Sequence, residues 1–151
     1  MLEELVHPKS GEWTFSMCQS HPMLSHIMSH PTSEQPLISI VFHSGTGHTA
    51  ELAKAVAAGV HSAGAKVEVH RISEEDFKGG RWLNEEVLAR LDESDAIIFG
   101  SPTYMGGVSA QLKSFMDATS PRYLQRKWVD KIGAAFTVSG LPSGDKLNML
   151  I

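Results

Sequence analysis

Leu37-Ile-Ser-Ile-Val-Phe-His43 is a mostly apolar run, and Ser44-Gly-Thr-Gly-His-Thr49 follows it without a break. Next, Ala50, Leu52, Ala53, Val56, Ala57 and Val60 recur with helical period until Gly64. A continuous apolar run suits a strand covered on both faces, the glycines a tight turn, and the 3.6-residue recurrence a helix packed by one side. Gly64 stands where a helix C-terminus favours glycine. Strand, glycine turn and helix in that order are the opening unit of an α/β fold.

The rest of the chain repeats the unit. Lys66-Val-Glu-Val-His-Arg-Ile72 alternates apolar and polar residues, the pattern of a strand at a sheet edge. Asn84 to Leu91 reads as a helix with Leu83, Val87, Leu88 and Leu91 on one face. Asp95-Ala-Ile-Ile-Phe-Gly100 reads as a third strand, Ser101-Pro-Thr-Tyr-Met-Gly-Gly107 as the loop after it, Ser109 to Ala118 as a helix and Ile132 to Val138 as a fourth strand. Alternating strands and helices imply parallel strands joined by right-handed crossovers, an α/β doubly wound parallel sheet, in which the two glycine-bearing loops would be neighbours if the strand order is 2-1-3-4. Ligands of such sheets bind beyond the carboxyl ends of the strands, where both glycine-bearing loops fall. The fourth strand carries no charge or proline to protect an exposed edge. After it the chain begins an apparent helix and stops on Leu147-Asn-Met-Leu-Ile151. We read this as a domain of residues 37–151 whose fifth strand is missing, a C-terminally truncated chain. The alternative is a partner subunit covering that edge.

The first 36 residues hold four of the seven prolines and four of the eight histidines without regular periodicity, and read as an irregular or disordered extension. Cys18, His21, His26 and His30 have spacings that resemble a zinc cluster, but the strands and turns of a zinc module are missing around them, so no metal site is expected. Four acids against Lys9 give this segment a net charge of −3, and the remaining 13 acids and 12 bases leave −1 for residues 37–151. A nearly neutral domain without a basic stripe argues against a nucleic-acid partner. No apolar run approaches the roughly 20 residues of a membrane span. A single cysteine and an acidic N-terminus fit a cytoplasmic protein.

The turn at Ser44 to Thr49 has the chemistry of an anion site. Gly45 and Gly47 allow close approach, Ser44, Thr46 and Thr49 supply hydroxyls, and the helix N-terminus supplies N–H groups. No lysine or arginine lies in it, which excludes a P-loop of the GxxxxGK[ST] type. Gly45, Gly47 and Ala50 also fit G-x-G-x-x-A, yet the second strand ends His70-Arg71-Ile72-Ser73 without the acid a dinucleotide ribose requires. The second loop adds Pro102 to fix the backbone, Gly106 and Gly107 for close approach, and Tyr104 and Met105 to lie against a flat ring. A phosphate cradle beside a ring slot is what FMN needs.

These residues resemble a known family. Ser44, Thr46, Gly47 and Thr49 match the [ST]-x-T-G-x-T turn of flavodoxins. The stretch from Asp95 through Gln111-Leu-Lys-Ser-Phe-Met-Asp117, with Gly47-His48-Thr49, is similar to the FMN-dependent NAD(P)H:quinone oxidoreductases of the tryptophan-repressor-binding-protein type. Thr46 stands where that family often has an aromatic residue. The resemblance implies a flavodoxin-like fold, and that Ser44, Gly45, Thr46, Gly47, His48 and Thr49 hold the FMN phosphate. It implies that Pro102, Thr103, Tyr104, Met105 and Gly106 line the isoalloxazine, and that Ser139 and Gly140, in a loop running to Gly144, form a third flavin contact. Trp128 is the nearest match to a family tryptophan that reaches the substrate pocket of a neighbouring subunit, so a homo-oligomer is implied. The implied chemistry is transfer of electrons from NAD(P)H through the flavin to a quinone, with no side chain acting as a catalytic acid or base. For His48, at a helix N-terminus that disfavours a cation, packing of the turn is expected. A flavodoxin-type single-electron carrier is the alternative, opposed by the near-neutral charge, since carriers steer by a one-signed surface. An inactive fragment of such a flavoprotein is the other.

Overall fold

The computed structural model describes residues 35–142. The histidine-rich segment with Cys18, His21, His26 and His30, the Gly144 end of the third loop and the helix expected from Leu147 lie outside the described residues.

Strands β1 (Leu37–Phe42), β2 (Lys66–Arg71), β5 (Ala96–Tyr104) and β7 (Ile132–Val138) form the parallel sheet, interrupted in sequence by two short antiparallel pieces. Strand β1 is central, with β2 on one side (Leu37 opposite Lys66, Phe42 opposite Arg71) and β5 on the other (Ile38 opposite Ala96, Phe42 opposite Gly100). Strand β7 runs along the far side of β5, from Ile132 opposite Ala96 to Val138 opposite Pro102. The spatial order β2-β1-β5-β7 is the 2-1-3-4 order read from the sequence. Among the described residues no strand pairs with the outer side of β7, and Ile132 there is exposed.

Helix α1 (His48–Ser62) covers one face of the sheet. Beneath it Ile40, Phe42 and Ala53 are buried, with Val56, Ala57, Val67, Ile98 and Phe136 packed around them. Helices α2 (Glu85–Glu93) and α3 (Ala110–Ala118) cover the other face over Val41, Ile72, Leu88, Leu91, Ile97, Leu112 and Phe115. Strand β1 alternates its side chains between the two cores, which explains why its sequence is apolar throughout. Gly100 is where the layers press closest. A Cβ there would strike the Phe136 ring and lie 2.8 Å from Phe42 Cβ.

Three features differ from the sequence reading. Residues 101–104 continue β5 instead of opening a loop. Strand β1 stops pairing at Gly100, so the missing N–H of Pro102 falls where that side of β5 no longer needs a donor, while β7 and then β6 (Gly107–Val108) supply partners on the other strands' terms. Tyr104 pairs with Gly107 across a two-residue turn in which Met105 (φ 49°) and Gly106 (φ 77°) are both left-handed, the pattern of a type I′ turn. Second, Leu83 does not join the α2 face. Asn84 caps the helix by accepting the Val87 N–H at 3.1 Å, leaving Leu83 outside it and exposed. Its place in the core goes to Trp82, which meets Phe115 edge to face with centroids 5.0 Å apart. Third, strands β3 (Phe77–Lys78) and β4 (Arg81–Trp82) form a small hairpin over Gly79 and Gly80, both at positive φ, and a short helix α4 (Ser120–Leu124) follows α3. No helix among the described residues is long and apolar enough to cross a membrane.

Candidate functional site

The residues expected to act together leave the sheet at its C-terminal end, after β1, β5 and β7. Ser44 is buried, and its Oγ accepts the N–H groups of Gly47 and Ala50, both at 3.2 Å. One hydroxyl therefore folds the turn back on the start of α1. Gly47, the helix N-cap at φ 96°, adopts a conformation that disfavours any residue with a Cβ, and the space where that Cβ would sit is open. The Glu51 N–H goes to the Gly47 carbonyl at 3.1 Å. The His48 and Thr49 N–H groups, at the first turn of the helix, have no intrahelical acceptor, the standard arrangement for binding an anion. Thr49 is buried, whereas Thr46 and His48 are exposed and share a hydrogen bond, Oγ1 to Nδ1, at 3.0 Å. The sequence reading expected His48 to pack the turn; the exposed ring instead reaches Thr46 by this one bond.

The second loop meets the first at Gly45. A Cβ on Gly45 would lie 2.6 Å from the Tyr104 hydroxyl, so the absence of a side chain at 45 lets the Tyr104 phenol reach across. Tyr104 is half exposed and Met105 fully so, both carried outward on the I′ turn. Pro102 is buried behind them. Thr103 ties this loop to β7: its hydroxyl bonds that of Thr137 at 2.7 Å, and Thr137 in turn donates to the Ser101 carbonyl at 2.9 Å. With its single hydrogen spent on the carbonyl, Thr137 accepts from Thr103. Ser101 Oγ accepts the Ser109 N–H at 2.9 Å, and Ser109 Oγ caps α3 by accepting the Leu112 N–H at 3.3 Å. Ser139 folds on itself, its Oγ accepting the Leu141 N–H at 3.3 Å, and Gly140 is exposed beside it.

The structure does not bring Trp128 to this cluster within the chain. Its indole Nε1 donates to Asp92 Oδ1 at 2.7 Å, and it packs against the core under α2. Asp92 precedes β5 and Trp128 precedes β7, which places both at the N-terminal end of the parallel sheet, opposite the loops. Lys127 and Arg122 also converge on Asp92, at 3.1 and 3.5 Å. Burial pushes the Asp92 carboxyl up, but the bonds from Trp128 and Lys127 and the Arg122 charge outweigh it and hold it below the usual range.

Two residues at the site escaped the sequence reading. Arg71, the last residue of β2, donates from Nη2 to the Ser44 carbonyl at 3.0 Å. A cation thus reaches a turn that contains none. The signal was strand parity: Val67 faces α1, so Arg71, four residues on, faces the start of that helix. His43 is buried at the base of the turn, and its Nδ1 has no partner among the described residues. Burial, and then the Arg71 charge, lower its pKa, so the imidazole is neutral near pH 7.

A family model described as NADPH-dependent FMN reductase matches residues 40–148. The chain is 42% identical over 132 residues to an NAD(P)H dehydrogenase (quinone) of Archaeoglobus fulgidus, an alignment covering 76% of this chain and 69% of that protein. It is 40% identical over 112 residues to a protein of Pseudomonas aeruginosa named Flavodoxin FldP, covering 74% of this chain and 55% of the other. Among solved structures, a flavodoxin, WrbA-like protein from Agrobacterium tumefaciens superposes with a TM-score of 0.66 at 45% identity, covering 77% of this chain and 68% of that one. The chain therefore spans between about half and two thirds of the length of these relatives.

Proposed function

Because the chain belongs to the NADPH-dependent FMN reductase family, we propose that it binds FMN at the C-terminal end of its sheet and passes electrons from NAD(P)H through the flavin to a quinone-type acceptor. The redox chemistry is the cofactor's. The observation that carries the reading is the meeting of two built loops at Gly45: a serine-anchored turn with helix N–H groups on one side, and Tyr104 and Met105 on the other. The residues fit the group. The open space at Gly47 and the His48 and Thr49 N–H groups suit a phosphate, with the hydroxyls of Thr46 and Thr49 beside them. Tyr104, Met105 and Gly106 present a surface for a flat ring, with Pro102 and the Thr103–Thr137 bond holding the backbone behind it. Ser139 and Gly140 bound the third side.

The protein's share of the reaction is to bind, orient and exclude water; no side chain at the site is placed as a general acid or base. His43 is neutral and buried, and His48 is bonded to Thr46. Trp128 contributing to the substrate pocket of a neighbouring subunit, a homo-oligomeric assembly and a cytoplasmic location belong to the same proposal. The first is supported by the resemblance and the last by the single cysteine.

A second reading, an electron carrier, is favoured by the 40% identity to the protein named Flavodoxin FldP. Anaerobic titration of the FMN-loaded chain separates the two. Rapid bleaching of the flavin spectrum by NADH or NADPH, and its return on adding a quinone, are expected of the oxidoreductase. Reduction by dithionite alone would favour the carrier, and no bound flavin would overturn both.

A further inference from the structure

We propose that Arg71 is a specificity-determining residue of the flavin site, supplying the positive charge that makes it select a phosphorylated flavin over the same ring system without phosphate. This inference rests on the FMN reading above and adds to it a residue outside the glycine turn.

The argument begins with charge. The turn from Ser44 to Thr49 contains no lysine or arginine, so from its own sequence it offers a phosphate only amides and hydroxyls. Two of those amides, Gly47 and Ala50, are already taken by Ser44 Oγ. A phosphate monoester carries close to two negative charges near pH 7. Uncompensated, that charge would be held by the two remaining helix N–H groups and the partial positive charge of the α1 N-terminus, roughly half an elementary charge.

Arg71 changes this balance. It stands opposite Phe42 in the β2–β1 register, on the sheet face that α1 covers. Its guanidinium donates to the Ser44 carbonyl, at the lip of the turn. No described carboxylate pairs with it, whereas Arg90 and Arg122 each have carboxylate partners. A cation next to a helix N-terminus has the unfavourable sign for the helix dipole. Beneath it His43 feels the same field, since burial and the Arg71 charge both favour its neutral form. An unpaired guanidinium beside a helix N-terminus makes a site of positive potential, and the buried imidazole beneath it is held neutral by that field and by burial. An anion seated on the turn would relieve the mismatch. One Nη of the guanidinium is committed to Ser44, and the other donors of its fork are left for a phosphate oxygen.

A purely structural role, bracing the Ser44 carbonyl, would act on the turn whatever ligand is bound. The test uses that difference. Full-length wild type, Arg71→Gln and Arg71→Lys are titrated with FMN and with riboflavin, following the quenching of flavin fluorescence. Arg71→Gln is expected to weaken FMN by about 10- to 100-fold, the range of a lost charge-assisted hydrogen bond, and riboflavin by less than about twofold. Arg71→Lys, which keeps the charge and loses the fork, should fall between. The salt dependence of FMN binding should be shallower in Arg71→Gln than in wild type. Equal losses for both flavins, or no loss for either, in a chain whose wild type binds FMN, would overturn this inference and leave the FMN reading intact. A wild type that binds neither flavin would overturn the FMN reading and this inference with it.

Discussion

In the first loop, Ser44 is buried and one hydroxyl holds two backbone N–H groups, while Arg71 grips the carbonyl from the next strand. In the second, Tyr104 and Met105 stand out toward solvent on a two-residue turn, and the fixed contacts lie behind them, at Thr103 and Ser101. Both loops leave neighbouring parallel strands at the same end of the sheet. The difference is one of preorganisation. A group bound by amides and charge gains from a turn that is already set, because the ordering cost falls on folding and not on binding. A ring bound by contact, which must also admit successive substrates, is better served by side chains with room to adjust. The first loop is therefore expected to govern affinity and the second to govern access.

Both loops stand on one rigid floor at Gly100, and the sharpest way to break the comparison is to disturb that floor. Gly100→Ala would drive a methyl group into the Phe136 ring and against Phe42. Overpacking of this kind costs about 1–3 kcal/mol. Urea unfolding should show the loss, and both loops should fail together in flavin binding. A change below about 1 kcal/mol would mean that β7 yields easily and that the floor is not shared.

Ser44→Ala tests the first loop alone. It removes the acceptor of two N–H groups in a partly buried turn, at about 1–3 kcal/mol, read as lost stability, lost FMN affinity or both. Met105→Ala is its counterpart in the second loop. With a fully exposed side chain, it should leave unfolding within about 0.5 kcal/mol of wild type. If the two variants lose FMN affinity equally, the division between a set loop and an adjustable one fails.

How far the sequence revealed all this follows the same division. Four parallel strands, their order and the body of α1 from Ala50 were legible because buried strands and an amphipathic helix write their periods directly into the chain, while the first residues of α1, His48 and Thr49, were read as turn. The extension of β5 through Tyr104 was not legible. Ser-Pro-Thr-Tyr-Met-Gly-Gly has the composition of a loop, and only the partnering by β6 and β7 makes it a strand. Trp82 replacing Leu83 in the core turns on a one-residue shift set by the Asn84 cap. Arg71 was hidden for another reason. Strand parity puts it on the face that α1 covers, but its bond to a turn 27 positions away in sequence is long-range and shows only in the fold.

Acid should separate the two ends of the sheet by pH. His43, at the loops, has a lowered pKa in the folded chain through burial and the Arg71 charge, so the unfolded chain binds its proton more readily. Its share of stability is present above the unfolded value of about 6.5 and is lost as pH falls below it. His70, lowered by burial despite Glu68, acts in the same direction. At the opposite end Asp92 has a lowered carboxyl value, the bonds from Trp128 and Lys127 and the Arg122 charge outweighing burial, so its contribution is present above about pH 4 and is lost only in stronger acid. Stability measured against pH should fall in two stages, and His43→Gln should shrink the first without moving the second. A single stage below pH 4 would remove His43 from the account.

The smallest effect expected sharpens the comparison from the second loop. Met105 is held at φ 49°, where a side chain with a Cβ is disfavoured and where asparagine is well tolerated. Met105→Asn would give the turn an Asn-Gly pair, the preferred sequence for a type I′ hairpin. The strain released should stabilise the chain by about 0.5–1 kcal/mol, read as a higher Tm. If methionine is kept there for contact with the ring, the same variant should bind FMN somewhat more weakly while unfolding later, because strain that persists in an exposed turn persists for function. Tighter binding and higher stability together would instead make the turn a simple connector, and the second loop would have no claim on the flavin beyond its backbone.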